Sequence, residues 1–80
     1  MDLIYKMESI IKNNENVYCF DLNRNNGRVS LTILFELDED DCLNELNRIC
    51  ENISTLSEIK SFKIDKWLCT ADFELNEVGV

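Results

Sequence analysis

The apolar residues of this chain change their spacing three times, and that switching constrains the fold more than any other feature. Leu3, Ile4, Met7, Ile10 and Ile11 recur at three and four positions, which places them along one side of a helix of about ten residues. Asn13, Asn14 and Asn16 end that helix. From Val17 the spacing becomes two: Tyr18, Phe20 and Leu22 share one face of a strand, and Val29, Leu31, Ile33, Phe35 and Leu37 one face of the next. Asn26-Gly27 lies between them and predicts a type I′ turn, which needs positive φ at both central residues. A two-residue loop there pairs Leu22 with Leu31, Phe20 with Ile33 and Tyr18 with Phe35, all on one face. A four-residue loop shifts the pairing by two and keeps the faces in phase. The opposite face then carries Val17, Cys19 and Leu34 among Asp21, Thr32 and Glu36.

Helical spacing returns from about Glu39 to Ile53, where Cys42, Leu43, Leu46, Ile49, Cys50 and Ile53 form a stripe. Asp38 is a suitable N-cap, and Asp41 follows at a capping-box-like interval. The segment 59–75 alternates again and predicts two more strands. Trp67, Cys69, Ala71, Phe73 and Leu75 share one parity and Phe62 and Ile64 the other. The phase change at Asp65-Lys66 requires a tight turn or a bulge. Without a linker-like stretch, residues 1–80 read as one domain with the order helix, hairpin, helix, hairpin. The predicted fold is a two-layer α+β sandwich, a four-stranded, mainly antiparallel sheet with two helices. The order is compatible with a degenerate repeat of one helix-plus-hairpin unit, which residue identity does not support.

The chain has no histidine and only two glycines, Gly27 and Gly79. Ser-His and Cys-His nucleophiles and the common catalytic zinc sites are thereby excluded, as are glycine loops that cradle phosphates. No catalytic residue, cofactor or metal is expected. Cys19, Cys42, Cys50 and Cys69 lie 23, 8 and 19 positions apart with no C-x-x-C pair. They read as thiols of a reducing compartment, three of them on apolar faces and Cys19 the most exposed. The N-terminal MDLIYKMESIIK carries charges among its apolar positions and has no small-residue cleavage site. It reads as a helix of a cytoplasmic protein, not as a signal peptide, and no apolar run approaches a membrane span.

Charge distribution is the strongest functional signal. The net charge is −8. Residues 29–58 hold eight acids and one base, whereas the flanking segments are close to balanced. Glu36, Asp38, Glu39, Asp40, Asp41 and Glu45 fall within ten consecutive positions that contain no base. One or two carboxylates suffice to complement a helix dipole, and Asp41 and Glu45 repel at i,i+4. The excess reads either as a capped and solvated helix end or as a binding edge. The spacing of Asp38, Asp40 and Asp41 lacks the glycine and the downstream glutamate of a calcium loop. The same charge opposes direct contact with nucleic acid. It suits instead a protein partner with a basic nucleic-acid-binding groove, approached quickly and salt-sensitively.

In size, acidity and lack of a catalytic set the chain resembles small phage-encoded inhibitors, anti-CRISPR proteins and other nucleic-acid mimics among them. That resemblance implies an inhibitor with Glu36 to Glu45 as the mimic surface. Immunity proteins against nuclease toxins share the same electrostatic character. A second resemblance is topological: RVSLTILFEL, DDCLNELNRICENI, EIKSFKI and WLCTADFEL give strand, helix, strand, strand, half of a ferredoxin-like domain as used in small regulatory and assembly modules. It implies a homodimer formed through Val17, Cys19 and Leu34.

Overall fold

The computed structural model describes residues 2–76. The elements are α1 (Leu3–Lys12), β1 (Val17–Asn25), β2 (Arg28–Phe35), α2 (Glu39–Ile53), β3 (Ile59–Asp65) and β4 (Thr70–Leu75). They form a small α+β fold in the expected order. The strands make one open sheet in the order β1-β2-β4-β3, every neighbouring pair antiparallel. Both helices cover the same face. Leu3, Met7 and Ile11 of α1 and Leu46, Ile49, Cys50 and Ile53 of α2 are buried against Val29, Leu31, Ile33, Ala71 and Phe73. The two apolar periods of the sequence thus meet in one layer of side chains, with Phe73 the largest of those fully buried.

Two antiparallel pairings separate β2 from β3, so these strands run parallel with β4 between them. β2, α2 and β3 are a split β-α-β unit. With α1 and β1 placed beside β2, the connectivity is that of a ferredoxin-like sandwich whose chain is opened between its third strand and second helix. A shift of 42 positions superposes the two halves of the sequence. It carries Met7 and Ile11 onto Ile49 and Ile53, Phe20 and Leu22 onto Phe62 and Ile64, and Val29, Leu31 and Ile33 onto Ala71, Phe73 and Leu75. Only Ile11/Ile53 and Phe20/Phe62 are identical at this shift, so the correspondence is one of apolar pattern. Even the bulges correspond: the register slips between Val17 and Cys19 in β1 and between Ile59 and Ser61 in β3.

The first bulge alters the expected faces. Phe20 pairs with Ile33 and Leu22 with Leu31 as predicted, but Val17, not Tyr18, lies opposite Phe35. The connection from α1 is short: the Val17 amide donates to the Asn14 carbonyl and the Glu36 amide to the Asn16 carbonyl. The chain therefore enters the sheet from the helical layer, and Val17 packs against the core. Tyr18 is the extra residue of the bulge and is 70% exposed. Val17 consequently does not belong to the open face with Cys19 and Leu34.

Both hairpin turns also depart from expectation. The first is the two-residue Asn26-Gly27 loop, flanked by the Asn25–Arg28 pair, but only Asn26 has positive φ, 56°, and Gly27 does not. It is not a type I′ turn. In the second, Asp65 pairs with Thr70 across the four residues 66–69. Asp65 Oδ1 accepts the backbone N–H groups of Trp67 at 2.9 Å and Leu68 at 3.1 Å, and Cys69 closes the loop at φ 53°. Satisfying two amides in this way holds the chain in a loop where alternation alone predicted continuing strand. Trp67 is therefore a loop residue.

Candidate protein-binding end

The strand ends place the acidic segment. β2 finishes at Phe35, beside the start of β1 and, through the Thr32–Thr70 pair, beside the loop 66–69. Beyond Phe35, alternation continues for three residues: Phe35 and Leu37 are half-buried, while Glu36 and Asp38 face solvent. The Glu36 amide donates to the Asn16 carbonyl at 2.8 Å, tying the segment to the chain that enters β1. Helix α2 then begins, with the Asp38 carbonyl accepting the Cys42 amide at 2.9 Å. Cys42 Sγ donates to the Leu37 carbonyl at 3.4 Å.

Asp38 occupies the N-cap position with extended φ/ψ, yet its side chain makes no capping hydrogen bond. The reciprocal box with Asp41 does not form. Among the described residues, the carboxylates of Glu36, Asp38, Glu39, Asp40 and Asp41 have neither an ion-pair partner nor a hydrogen-bond donor. All five residues are exposed. Glu45, one turn further on, differs: it is half-buried and held by Arg48 at 2.8 Å, and Arg48 also donates to Asn14 Oδ1 at 3.3 Å. The structure thus gathers five of the six predicted residues into one free acidic edge and places the sixth in an ion pair beside it. Glu15, exposed in the turn before β1, joins this end and was not predicted.

Three exposed apolar residues that sequence reasoning missed, Tyr18, Trp67 and Leu68, lie at the same end of the sheet as Leu34, which it placed on the open face. Trp67 is 97% exposed and Leu68 71%, both in the loop 66–69; Tyr18 protrudes from its bulge, and Leu34, 58% exposed, pairs with Cys19 on the open face. The loop sits against the start of α2: the Cys69 thiol is pushed up by its burial and by the neighbouring Cys42. Among the described residues, four of the five exposed large hydrophobics are therefore at the same end of the sheet as the acidic segment; the fifth, Tyr5, is on α1. The available signal was the phase change at Asp65-Lys66, since an aspartate that can accept two following amides favours a longer loop.

Elsewhere the chemistry is sparse. Beyond Cys19 and Leu34 the open face of the sheet is polar: Asp21, Ser30, Thr32, Lys63, Asp72 and Glu74 lie on it, with Ser30 Oγ donating to Asp72 Oδ1 at 2.9 Å. A depression of about 560 Å³ at the opposite end is lined by Asn25, Asn26, Gly27, Arg28, Lys60 and Glu74, where Lys60 and Glu74 are 3.7 Å apart. The Cys50 thiol is pushed up to about 12 by burial in the core and is inert as a nucleophile. Among the described residues, no group of three or more acidic or cysteine side chains is arranged to hold a metal ion, and no helix is long and apolar enough to cross a membrane. No family model, no curated protein and no solved structure matches this chain.

Proposed function

We propose that the chain is a non-enzymatic acidic binding protein that inhibits a basic nucleic-acid-binding protein by occupying its groove, as an anti-CRISPR or other nucleic-acid mimic does. The observation that carries this reading is the set of five exposed carboxylates, Glu36 and Asp38 to Asp41, that the fold leaves without partners. A carboxylate used for capping or for an internal ion pair contributes to stability. These make no such contact; Glu39, Asp40 and Asp41 stand in the first turn of α2, where one or two carboxylates suffice for the helix dipole, and the like charge in excess of that costs stability unless a partner supplies the opposite charge. Lysines and arginines that normally face phosphates are a suitable complement.

The test is affinity capture of proteins from a bacterial lysate on the immobilised chain. Retained proteins should be basic nucleic-acid binders, should elute as salt is raised, and should be displaced by nucleic acid. The variant carrying Glu39→Lys, Asp40→Lys and Asp41→Lys should retain none of them. If that variant holds the same proteins at the same salt, the acidic edge is not the binding surface.

A further inference from the structure

We infer that two copies of this chain join edge to edge through β1, antiparallel about a two-fold axis at Leu22, so that the four-stranded sheet continues into that of the copy. The backbone sets which residues can make that contact. The Leu75 amide donates to the Gly27 carbonyl at 2.9 Å, so the odd-numbered residues of β2 bond toward β4 and the even-numbered ones toward β1. Their partners in β1 are Asp21, Asn23 and Asn25. Phe20, Leu22 and Arg24 alternate with these and turn their N–H and C=O groups outward, to the free edge. Such an edge is a template for another strand unless lysine, proline or a bulge protects it. On β3, the other edge, the bulge at Lys60 and the side chain of Lys63 do so. In β1 the bulge is confined to the first residues, and Cys19 to Asn25 follow in regular register with neither lysine nor proline.

The sequence of β1 selects its own copy. Centred on Asp21, a two-fold register sets two aspartates opposite each other, which is unfavourable. Centred on Asn23, it pairs only residues 21–25 and leaves Phe20 unmatched. Centred on Leu22, it pairs the whole regular stretch: Leu22 meets Leu22, Phe20 meets Arg24, Asp21 meets Asn23 and Cys19 meets Asn25, with no like charges opposed. The outward groups of Phe20, Leu22 and Arg24 then exchange about six backbone hydrogen bonds. The side chains agree. Phe20 and Leu22 point into the helical layer yet are only half-buried. Ile4 is half-buried too, on the flank of α1 opposite the one where Lys6 and Asn14 bind Glu58 and Arg48. A lone peptide strand would bond the edge and leave this margin uncovered, because it brings no helix. A second copy brings its α1 on the same side of the sheet, and its own Ile4, Phe20 and Leu22 close the margin. The axis stands perpendicular to the sheet, so the start of each β1 lies beside the end of the other. Glu36, tied to Asn16 just before β1, and the acidic residues after it therefore fall at opposite ends of the pair and stay free. The inference is thus independent of the proposed function.

Sedimentation equilibrium and amide hydrogen exchange on the intact chain test this together. The mass should rise from that of one chain toward that of two as the concentration goes from micromolar to millimolar. Over the same range the amides of Phe20, Leu22 and Arg24 should slow by at least about tenfold, as they do once about nine chains in ten are paired. Those of Asp21 and Asn23, bonded to β2 throughout, should be protected at every concentration. Arg24→Pro removes an outward N–H that the single chain does not use, and proline is tolerated at such an edge position. It should move the association to at least about tenfold higher concentration, the effect of two hydrogen bonds lost per pair, with an unchanged circular dichroism spectrum. The exchange experiment needs no substitution and decides the matter whether or not that variant folds. A mass of one chain at every concentration would overturn the inference. So would a doubled mass in which the outward amides of β1 gain no protection, or in which Phe62 and Ile64 on the β3 edge gain it instead, since the copies then meet elsewhere. A folded Arg24→Pro chain that associates at the same concentration as the unsubstituted one would do the same.

Discussion

The two central residues of the first hairpin turn should respond to alanine with opposite signs. Asn26 is held at φ 56° and Gly27 lies outside the left-handed region. A Cβ added at Gly27 would meet nothing within 4 Å, and the hydrogen bond that the Gly27 carbonyl accepts from the Leu75 amide at 2.9 Å does not involve its side chain. Gly27→Ala therefore leaves the folded state intact and removes conformational freedom from the unfolded chain, a gain of about 0.4–1 kcal/mol. Asn26→Ala keeps a Cβ in the left-handed region with a residue that tolerates it less well than asparagine, a cost of about 1 kcal/mol. Urea unfolding followed by circular dichroism resolves both. With a slope of about 1 kcal/mol/M for a domain of this size, the midpoint rises by about 0.4–1 M in the first variant and falls by about 1 M in the second. A type I′ turn, with positive φ at both positions, requires both midpoints to fall. A loss of stability in Gly27→Ala would refute a turn with positive φ at Asn26 alone.

Two further outcomes follow from the packing and the ion pairs. Phe73 and Trp67 share a parity in the sequence but have opposite burial, so Phe73→Ala should cost about 3–5 kcal/mol and Trp67→Ala less than about 0.5 kcal/mol in the same urea assay. Similar costs would mean that Trp67 is packed. Glu58 has its carboxyl lowered from the ordinary 4.5, first by the hydrogen bond that Lys6 Nζ donates at 2.7 Å and then by backbone and Ser57 donors. A lowered folded-state value means that the pair's contribution is fully present above pH 4.5 and is lost as pH falls through the folded value. Lys6→Met should raise the Glu58 titration seen by NMR toward 4.5 and flatten the stability profile in that acidic window. An unchanged Glu58 titration would show that the pair does not form in solution.

The fold was legible because each element carries its own period. Met7 and Ile11, Leu31 and Ile33, Ile49 and Ile53, and Ala71 and Phe73 are buried where three- to four-residue and two-residue spacing put them. Their meeting in one core needs no long-range information beyond the rule that apolar faces pack together. What failed is the phase of alternation at points where one or two residues leave the ladder. A single extra residue at Tyr18 turned Val17 inward and Tyr18 outward. Two amides accepted by Asp65 lengthened a loop and moved Trp67 from an expected core face to solvent. The candidate site was accordingly legible in one half only. Acidic residues that are consecutive in sequence stay together in any fold, so the run from Glu36 to Asp41 reads as an edge from the amino-acid order alone. The apolar half is assembled from β1, β2 and the β3–β4 loop, and it depends on the bulge and the loop that alternation does not report. In both places a side chain that the pattern assigned to the core is displaced toward the same acidic end.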